Sequence, residues 1–308
     1  MFLYTFARRE RPDCIISQFS TVNICVLVGA LTGIPTRIAW YRTLSTQIRA
    51  DAKRADWIEN LKLLRKRFVY PFATHIIANS QAAAEDVRVV YNLPADKVSV
   101  LHNLVSPPEV DHILTLSNRL VSVGRFTLSK NQQVLVEALP FICEHVPDVH
   151  VDFYGAGAQK AVCEARAADL GVADLCTFHG HVPLPKVMQA LAGASVCVVT
   201  SQNEAFGYVA AEAQAVGTPV VASKVDGLLD VVKEGKTGFL VPPEDPASFA
   251  DKITTLLLDK SLREQFSVNA REHFLNNFSM KNISQHADHL EQLVRSKLTG
   301  DVDTAPNS

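Results

Sequence analysis

Four charged side chains in the second half of this 308-residue chain have types and spacings that suit phosphate and sugar chemistry: Arg125, Lys130, Glu204 and Glu212. The stretch Val123-Gly124-Arg125-Phe126-Thr127-Leu128-Ser129-Lys130-Asn131 reads as a strand end, a loop carrying two cations five residues apart, and a helix opening near Asn131. Such a pair suits a diphosphate, the guanidinium gripping oxygens in a fork and the ammonium acting as a point charge. Taken alone, the stretch is read more simply as two solvated loop cations. In Thr200-Ser201-Gln202-Asn203-Glu204-Ala205-Phe206-Gly207-Tyr208-Val209-Ala210-Ala211-Glu212-Ala213, a strand leads into a loop holding Glu204, and a helix begins near Gly207. Glycine there lets a ligand approach the backbone, and the free N–H groups of a first helical turn favour an anion. Glu212 follows Glu204 by eight residues, about one turn inside that helix. Carboxylates repel phosphate but accept hydrogen bonds from sugar hydroxyls, so this pair fits a phosphorylated sugar or nucleotide. Two solvent-facing glutamates are the plainer alternative.

The elements that must position these groups follow from apolar periodicity. Runs of four to six apolar residues alternate with longer helical stretches, as in βα units around parallel sheets. Strands are predicted at 14–17, 36–40, 75–78 and 98–102, then at 120–124, 149–154, 175–179, 196–200, 219–223 and 238–241. Helices are predicted at 21–31, 54–69 and 81–90, between the later strands, and at 246–258, 261–275 and 280–298. Ser80 followed by Gln81-Ala82-Ala83-Ala84-Glu85 reads as a capped helix start. Ser106-Pro107-Pro108-Glu109 interrupts the pattern and is read as a linker. The expected fold is α/β with two doubly wound domains, which bind ligands outside the carboxyl ends of their strands. Gly155-Ala156-Gly157 is a weak echo of a dinucleotide fingerprint, without the third glycine or an acidic partner, and is read as a structural turn.

Glu204-x7-Glu212 with Gly207, the downstream Ala215-Val216-Gly217-Thr218-Pro219-Val220-Val221-Ala222 and the upstream Gly124-Arg125…Lys130 together resemble the retaining family-four glycosyltransferases of the GT-B fold. The resemblance covers nearly all of residues 117–280. It implies two Rossmann-like domains: an incomplete acceptor-side domain over 1–108, a donor domain over 109–280, a helix at 281–298 returning to brace the first domain, and a disordered polar tail at 299–308. It also implies roles. Arg125 and Lys130 would bind the donor diphosphate and neutralise the leaving charge. Glu204 would hold hydroxyls of the transferred sugar, beside Ala205, Phe206, Gly207 and Tyr208. Glu212 would hold the ribose hydroxyls, and the Gly180-His181-Val182 loop would approach the base, with Val182 in contact and His181 a bystander. The implied reaction is hexosyl transfer with retention from a nucleotide-diphosphate-sugar, a UDP-sugar favoured, to a glycan or lipid-linked acceptor by front-face attack. No cofactor and no metal are expected, Arg and Lys taking the place of a divalent ion. Asp301-Val302-Asp303 is read as irrelevant tail.

The first half departs from that pattern. Residues 1–110 hold only Gly29 and Gly33 where relatives carry a glycine-rich loop, and about two βα units are read as missing before Met1. Where relatives carry a histidine near the donor sugar, this chain has Ala39-Trp40-Tyr41-Arg42. Two other functions are therefore kept open: a sugar-nucleotide-binding protein without turnover, and a GT-B sugar-nucleotide epimerase.

The composition, 47% apolar and 20% charged, is that of a globular chain. A net charge of −2 gives no general affinity for nucleic acid. Residues 1–105 carry 14 Lys/Arg against 8 Asp/Glu and the remainder 16 against 24, so the first half is the basic one. The helix at 58–69 sets Ile58, Leu61, Leu64 and Phe68 among Lys62, Arg65, Lys66 and Arg67, a pattern that fits peripheral contact with an anionic membrane or ordinary packing on the domain core. Six cysteines without metal-ligand spacing, no signal-peptide pattern and no spanning segment lead to a cytoplasmic expectation.

Overall fold

The computed structural model describes residues 1–50, 56–106 and 118–299. The chain divides into two compact units: Met1–Asn103 with the stretch from Asn282, and Leu104–Lys281. Val105 is already tied into the second unit, its N–H donating to the Phe278 carbonyl at 2.7 Å. The linker expected at 106–109 lies, beyond Ser106, outside the described residues, as do the tail and its Asp-x-Asp.

The first unit runs α1 (Phe2–Glu10), β1 (Cys14–Gln18), α2 (Val22–Thr32), β2 (Thr36–Tyr41), α3 (Ser45–Ala50), α4 (Asp56–Val69), β3 (His75–Ala78), α5 (Gln81–Tyr91) and β4 (Val98–Val100). The four strands pair in parallel in the order β1-β2-β3-β4. Ser80 caps α5, its side chain accepting from the Ala83 N–H. α1 was not foreseen: its apolar start and basic end carry no cap side chain, and Arg11 closes it at φ 45°.

The second unit continues with β5 (Arg119–Val123), α6 (Gln133–Cys143), β6 (His150–Tyr154), α7 (Lys160–Asp169), β7 (Cys176–Gly180), α8 (Leu184–Ala192), β8 (Val196–Val199), α9 (Tyr208–Ala215), β9 (Val220–Ser223), α10 (Leu228–Val231), β10 (Gly238–Val241), α11 (Pro246–Leu258) and α12 (Lys260–Asn277). All six strands are parallel, in the order β10-β9-β8-β5-β6-β7. The chain therefore winds outward from β5 to one side and from β8 to the other, which puts the topological switch between these two strands. Their central residues are apolar because both faces are covered: Leu120, Val151, Phe153, Val196, Val198 and Val221 are fully buried.

The last helix, α13 (Ile283–Thr299), belongs to the first unit and packs on β2. Leu290 and Leu293 rest on Ile38, Ile77 and Leu101. Beside them a polar relay joins helix to sheet: His75 Nε2 lies 2.8 Å from Ser99 Oγ, which lies 3.0 Å from His289 Nε2. Burial, with His289 and Lys297 adding and Asp96 opposing, holds the His75 imidazole down at about 4. An unfolded histidine takes its proton near 6.5, so between these values the unfolded state binds more protons than the folded one. Stability is thus undiminished above pH 6.5 and falls as pH drops towards 4, by about 2–3 kcal/mol from this group. Urea unfolding at pH 7 and pH 4.5 should show that loss in the native chain and a smaller one in His75→Gln. Equal losses in the two proteins would refute the assignment.

Candidate functional site

The carboxyl ends of β5, β6 and β7 and the helix after β8 enclose a cavity of about 450 Å³. Its wall takes Val123, Gly124 and Arg125 from β5 and the loop after it, Tyr154, Gly155 and Ala156 after β6, His181, Val182, Leu184 and Val187 after β7, and Glu212 from α9. The position follows from the winding, since loops after strands on either side of a switch point diverge and leave a crevice.

Close backbone approach builds the wall. The Gly124 N–H donates to the Tyr154 carbonyl at 2.9 Å, Phe126 N–H to Ala156 O at 3.0 Å, and Gly155 N–H to Gly180 O at 2.7 Å. A Cβ on Gly155 would stand 1.9 Å from the Gly124 oxygen, and one on Gly157 2.2 Å from the Phe126 oxygen. Gly155-Ala156-Gly157 is therefore a packing device that lets the Arg125 loop lie against its neighbour. The Tyr154 ring stacks on His179 with centroids 4.4 Å apart. His179 is held in turn by Asp152 Oδ1 at 2.7 Å, while Arg119 takes the other carboxylate oxygen at 2.7 Å.

Lys130 stands in a turn closed by the Asn131 N–H donating to Thr127 O at 3.1 Å, with Asn131 at φ 46°. Two bonds dock this turn on the loop after β8: Thr200 Oγ1 donates to the Lys130 carbonyl at 2.9 Å, and the Gln202 N–H to the Ser129 carbonyl at 2.8 Å. The Lys130 ammonium forms an ion pair with the Glu204 carboxylate, both side chains being largely withdrawn from solvent. A Cβ on the wall residue Gly124 would sit 3.9 Å from the Lys130 stem, so Lys130 stands next to the wall, while neither it nor Glu204 is part of that wall. Sequence reading set Lys130 and Glu204 on separate parts of a ligand, and their mutual pairing was not foreseen.

The Glu204 loop has a second support. The Glu204 N–H donates to Asp226 Oδ2 at 3.2 Å, and the Gly227 N–H to the Glu204 carbonyl at 2.8 Å. Gly207 adopts φ 99°, and a Cβ there would meet Leu228 Cδ2 at 2.7 Å, so both conformation and space call for glycine. Ala205, Phe206 and Gly207 are buried, Tyr208 opens α9, and none of these four is part of the cavity wall. Of the residues singled out by sequence for a ligand, the cavity gathers Gly124, Arg125, His181, Val182 and Glu212, while Lys130 and Glu204 lie outside its wall, Lys130 beside Gly124. Burial pushes the Glu212 carboxyl up to about 7.

Tyr154, Leu184, Val187 and Asp226 were missed, because each arrives by tertiary proximity from a stretch with no charged motif of its own. Where the family resemblance leads to the expectation of a histidine, Tyr41 turns inward, its hydroxyl donating to Asp86 at 2.5 Å, while Arg42 lies over the Phe19 ring at 5.5 Å. Among the described residues, no group of three or more His, Cys, Asp or Glu is arranged to hold a metal ion.

Two parallel α/β units, the second doubly wound with a cavity of this lining at its switch point, are the marks of the GT-B class. The chain belongs to the family-four GT-B glycosyltransferases: residues 112–273 match the model of the glycosyl transferases group 1, and residues 1–108 that of glycosyltransferase family 4. It is similar to an uncharacterized glycosyltransferase of Methanocaldococcus jannaschii, 32% identical over 68% of this chain and 57% of that one. It is also similar to the D-inositol 3-phosphate glycosyltransferase of Corynebacterium efficiens, 32% identical over 74% of this chain and 58% of that one. Among solved structures, Anabaena HepE in complex with UDP superposes with a TM-score of 0.77 at 21% identity, over 94% of this chain and 81% of that one. Sucrose-phosphate synthase of Thermosynechococcus elongatus superposes at 0.76 and 22% identity, over 96% and 76%. The chain spans about half the length of the curated relatives it matches.

Proposed function

We propose that this chain carries the donor site of a retaining hexosyltransferase, which moves a sugar from a nucleotide-diphosphate-sugar to a glycan or lipid-linked acceptor without a divalent ion. The observation that carries this reading is the convergence of Arg125, Val182 and Glu212 on one cavity, with Lys130, paired to Glu204, next to the wall residue Gly124. In the proposed complex the diphosphate lies against Arg125 and Lys130, the ribose hydroxyls donate to Glu212, and Glu204 takes hydroxyls of the transferred sugar. Gly207 and the start of α9 flank the phosphates, with Ala205, Phe206 and Tyr208 supporting that turn. As the glycosidic bond breaks, charge grows on the leaving diphosphate. Fixed cations stabilise it without reorganising, usually the largest single catalytic contribution. The acceptor attacks from the same face as the leaving group, and a donor phosphate oxygen takes its proton.

A uracil base is favoured. Val182, Leu184 and Val187 supply apolar surface and backbone at the proposed base end, and the only carboxylate among the described wall residues is Glu212, assigned to the ribose. Uracil needs one donor and one acceptor, which a single stretch of backbone provides, whereas the adjacent N–H groups of guanine call for a facing carboxylate. The UDP bound in the HepE structure is in keeping with this choice.

A panel of UDP-, GDP- and ADP-sugars tests the reading, since a ligand that binds only the folded state raises Tm. A UDP-sugar should raise it by several degrees, as a Kd exceeded 100-fold adds about 2.7 kcal/mol. Lack of a response to any member of the panel would remove the donor-site proposal. Peripheral contact with an anionic membrane through the basic end of α4 is part of the proposal.

A further inference from the structure

The cavity wall at Tyr154 rests on an irregularity in the sheet. β7 is an edge strand, and its ladder with β6 passes from Phe153 opposite Phe178 to Tyr154 opposite Gly180, which leaves His179 as an extra residue without a partner across the ladder. A bulge of this kind bends an edge strand and re-aims a side chain. Here the re-aimed imidazole lies flat on the Tyr154 ring, with centroids 4.4 Å apart and planes 5° from parallel. A carboxylate only accepts, so the His179 Nε2–H donates to Asp152 Oδ1, at 2.7 Å. Asp152 is 3% exposed inside β6, and Nε and Nη2 of Arg119 both reach its other oxygen, at 3.1 and 2.7 Å. A charge buried in a strand is costly unless fully paired, and apolar residues in place of such a network are often neutral or stabilising. This network spans β5, β6 and β7, and what it holds in place is the plane of one imidazole against one phenol ring.

The stacked pair stands where two hollows meet. Tyr154 and Val182 line the cavity described above, and they also line a second hollow of about 420 Å³ whose wall adds His179, Lys186 and Gln189. The proposed base end of the donor lies at Val182, so a base seated there has Tyr154 beside it. Lys186 and Gln189 bring N–H donors to that side, and among the described wall residues of the second hollow there is no carboxylate. Such a lining suits the two carbonyl oxygens of uracil.

We infer that the Tyr154–His179 pair is a stacking platform for the base of the donor, with Tyr154 meeting the base and His179, held by Asp152, fixing the angle of the Tyr154 ring. The inference rests on the donor-site reading and deepens it: the family resemblance leads to the backbone of Gly180-His181-Val182 for the base and gives no part to Tyr154 or His179. A pair that only closes the edge of the sheet is the alternative, and such a pair is indifferent to whether a ligand is aromatic.

Calorimetric titration with UDP and with 5,6-dihydro-UDP separates the two. These nucleotides share charge, sugar and the hydrogen-bonding groups of the base, and differ in whether the base is flat and aromatic. Loss of a base–aromatic stack lowers affinity about tenfold, so the native chain should bind UDP roughly tenfold more tightly than the dihydro analogue. Tyr154→Leu should abolish that preference by weakening UDP alone, and Tyr154→Phe should keep it. His179→Ala leaves the Tyr154 ring unsupported and should cut the preference to about threefold, a part of the full stacking effect. Urea midpoints report which variants are folded, and if Tyr154→Leu is not, the ratio measured on His179→Ala decides. A native chain that binds UDP and its dihydro analogue equally, or a folded variant of either residue to Leu or Ala that keeps the native preference, would overturn the platform and leave the donor site standing. A native chain that binds neither nucleotide would overturn the donor-site reading, and the platform with it.

Discussion

Lys130→Ala is expected to lower the rate of sugar transfer at saturating donor by about 10²–10³-fold, the usual loss when one preorganised charge-stabilising group is removed. The turn that carries Lys130 is docked through its own backbone on the loop after β8, so the ammonium is held in place before any ligand arrives. In the free chain Glu204 supplies its counter-charge. A bound diphosphate competes for the same ammonium and leaves the carboxylate for sugar hydroxyls, which links donor binding to a change of partner at Lys130. Lys130→Ala also strands Glu204 half-buried without a cation, so some loss of stability accompanies the loss of rate. Initial rates with a saturating UDP-sugar, read beside urea midpoints, separate the two effects. A folded Lys130→Ala chain that turns over at the native rate would remove Lys130 from the leaving-group role.

The second large effect is expected at Glu212. Burial raises its carboxyl to about 7, so near neutral pH the free chain holds it as a mixture of acid and carboxylate. Ribose hydroxyls donate to the ionised form, and donor affinity should therefore improve about tenfold between pH 6 and pH 8. Glu212→Gln should flatten that profile. It should also weaken donor binding about 100-fold, because two hydrogen bonds to a charged group become bonds to a neutral amide. Stability moves the other way. An unfolded glutamate loses its proton near 4.3, well below the folded value, so the folded state binds more protons between the two. This group's contribution is full below the unfolded value and is lost as pH rises through about 7. At pH 8 the free Glu212→Gln chain should accordingly be more stable than the native one, by about 2 kcal/mol after allowance for the partly open cavity. Weaker binding with higher stability would mark a group kept for its ligand. A variant that binds normally with an unchanged pH profile would exclude Glu212 from the site.

Much of the fold was legible because parallel sheets covered on both faces write themselves as short apolar runs. Val196–Val199 and Val220–Ser223 have no other reading in a chain of this composition. Ser80 gave a helix start away, since a side-chain oxygen facing the third residue on is a local signal, and Asp245 caps α11 in the same way though it was not read from the sequence. α1 was invisible for the opposite reason, having no capping side chain and, at 9 residues, little length in which a stripe could show. Strand order was equally hidden. Nothing local says that β5 lies beside β8, yet that pairing creates the crevice. The charged groups of the site were found from type and spacing, whereas the Tyr154 wall, the Asp226 support and the Lys130–Glu204 pair depend on approaches between segments 22 to 74 residues apart. Gly155 shows the limit well. Its surroundings were read as a structural turn, but the reason for glycine, a carbonyl 1.9 Å from where a Cβ would stand, exists only in the folded chain.

A crystal structure of the chain with bound UDP tests the central claim most directly. The proposed site predicts diphosphate oxygens within hydrogen-bonding reach of the Arg125 guanidinium and the Lys130 ammonium, ribose hydroxyls on the Glu212 carboxylate, and the uracil against Val182. Nucleotide bound elsewhere, or in this cavity with its diphosphate turned away from both cations, would contradict it.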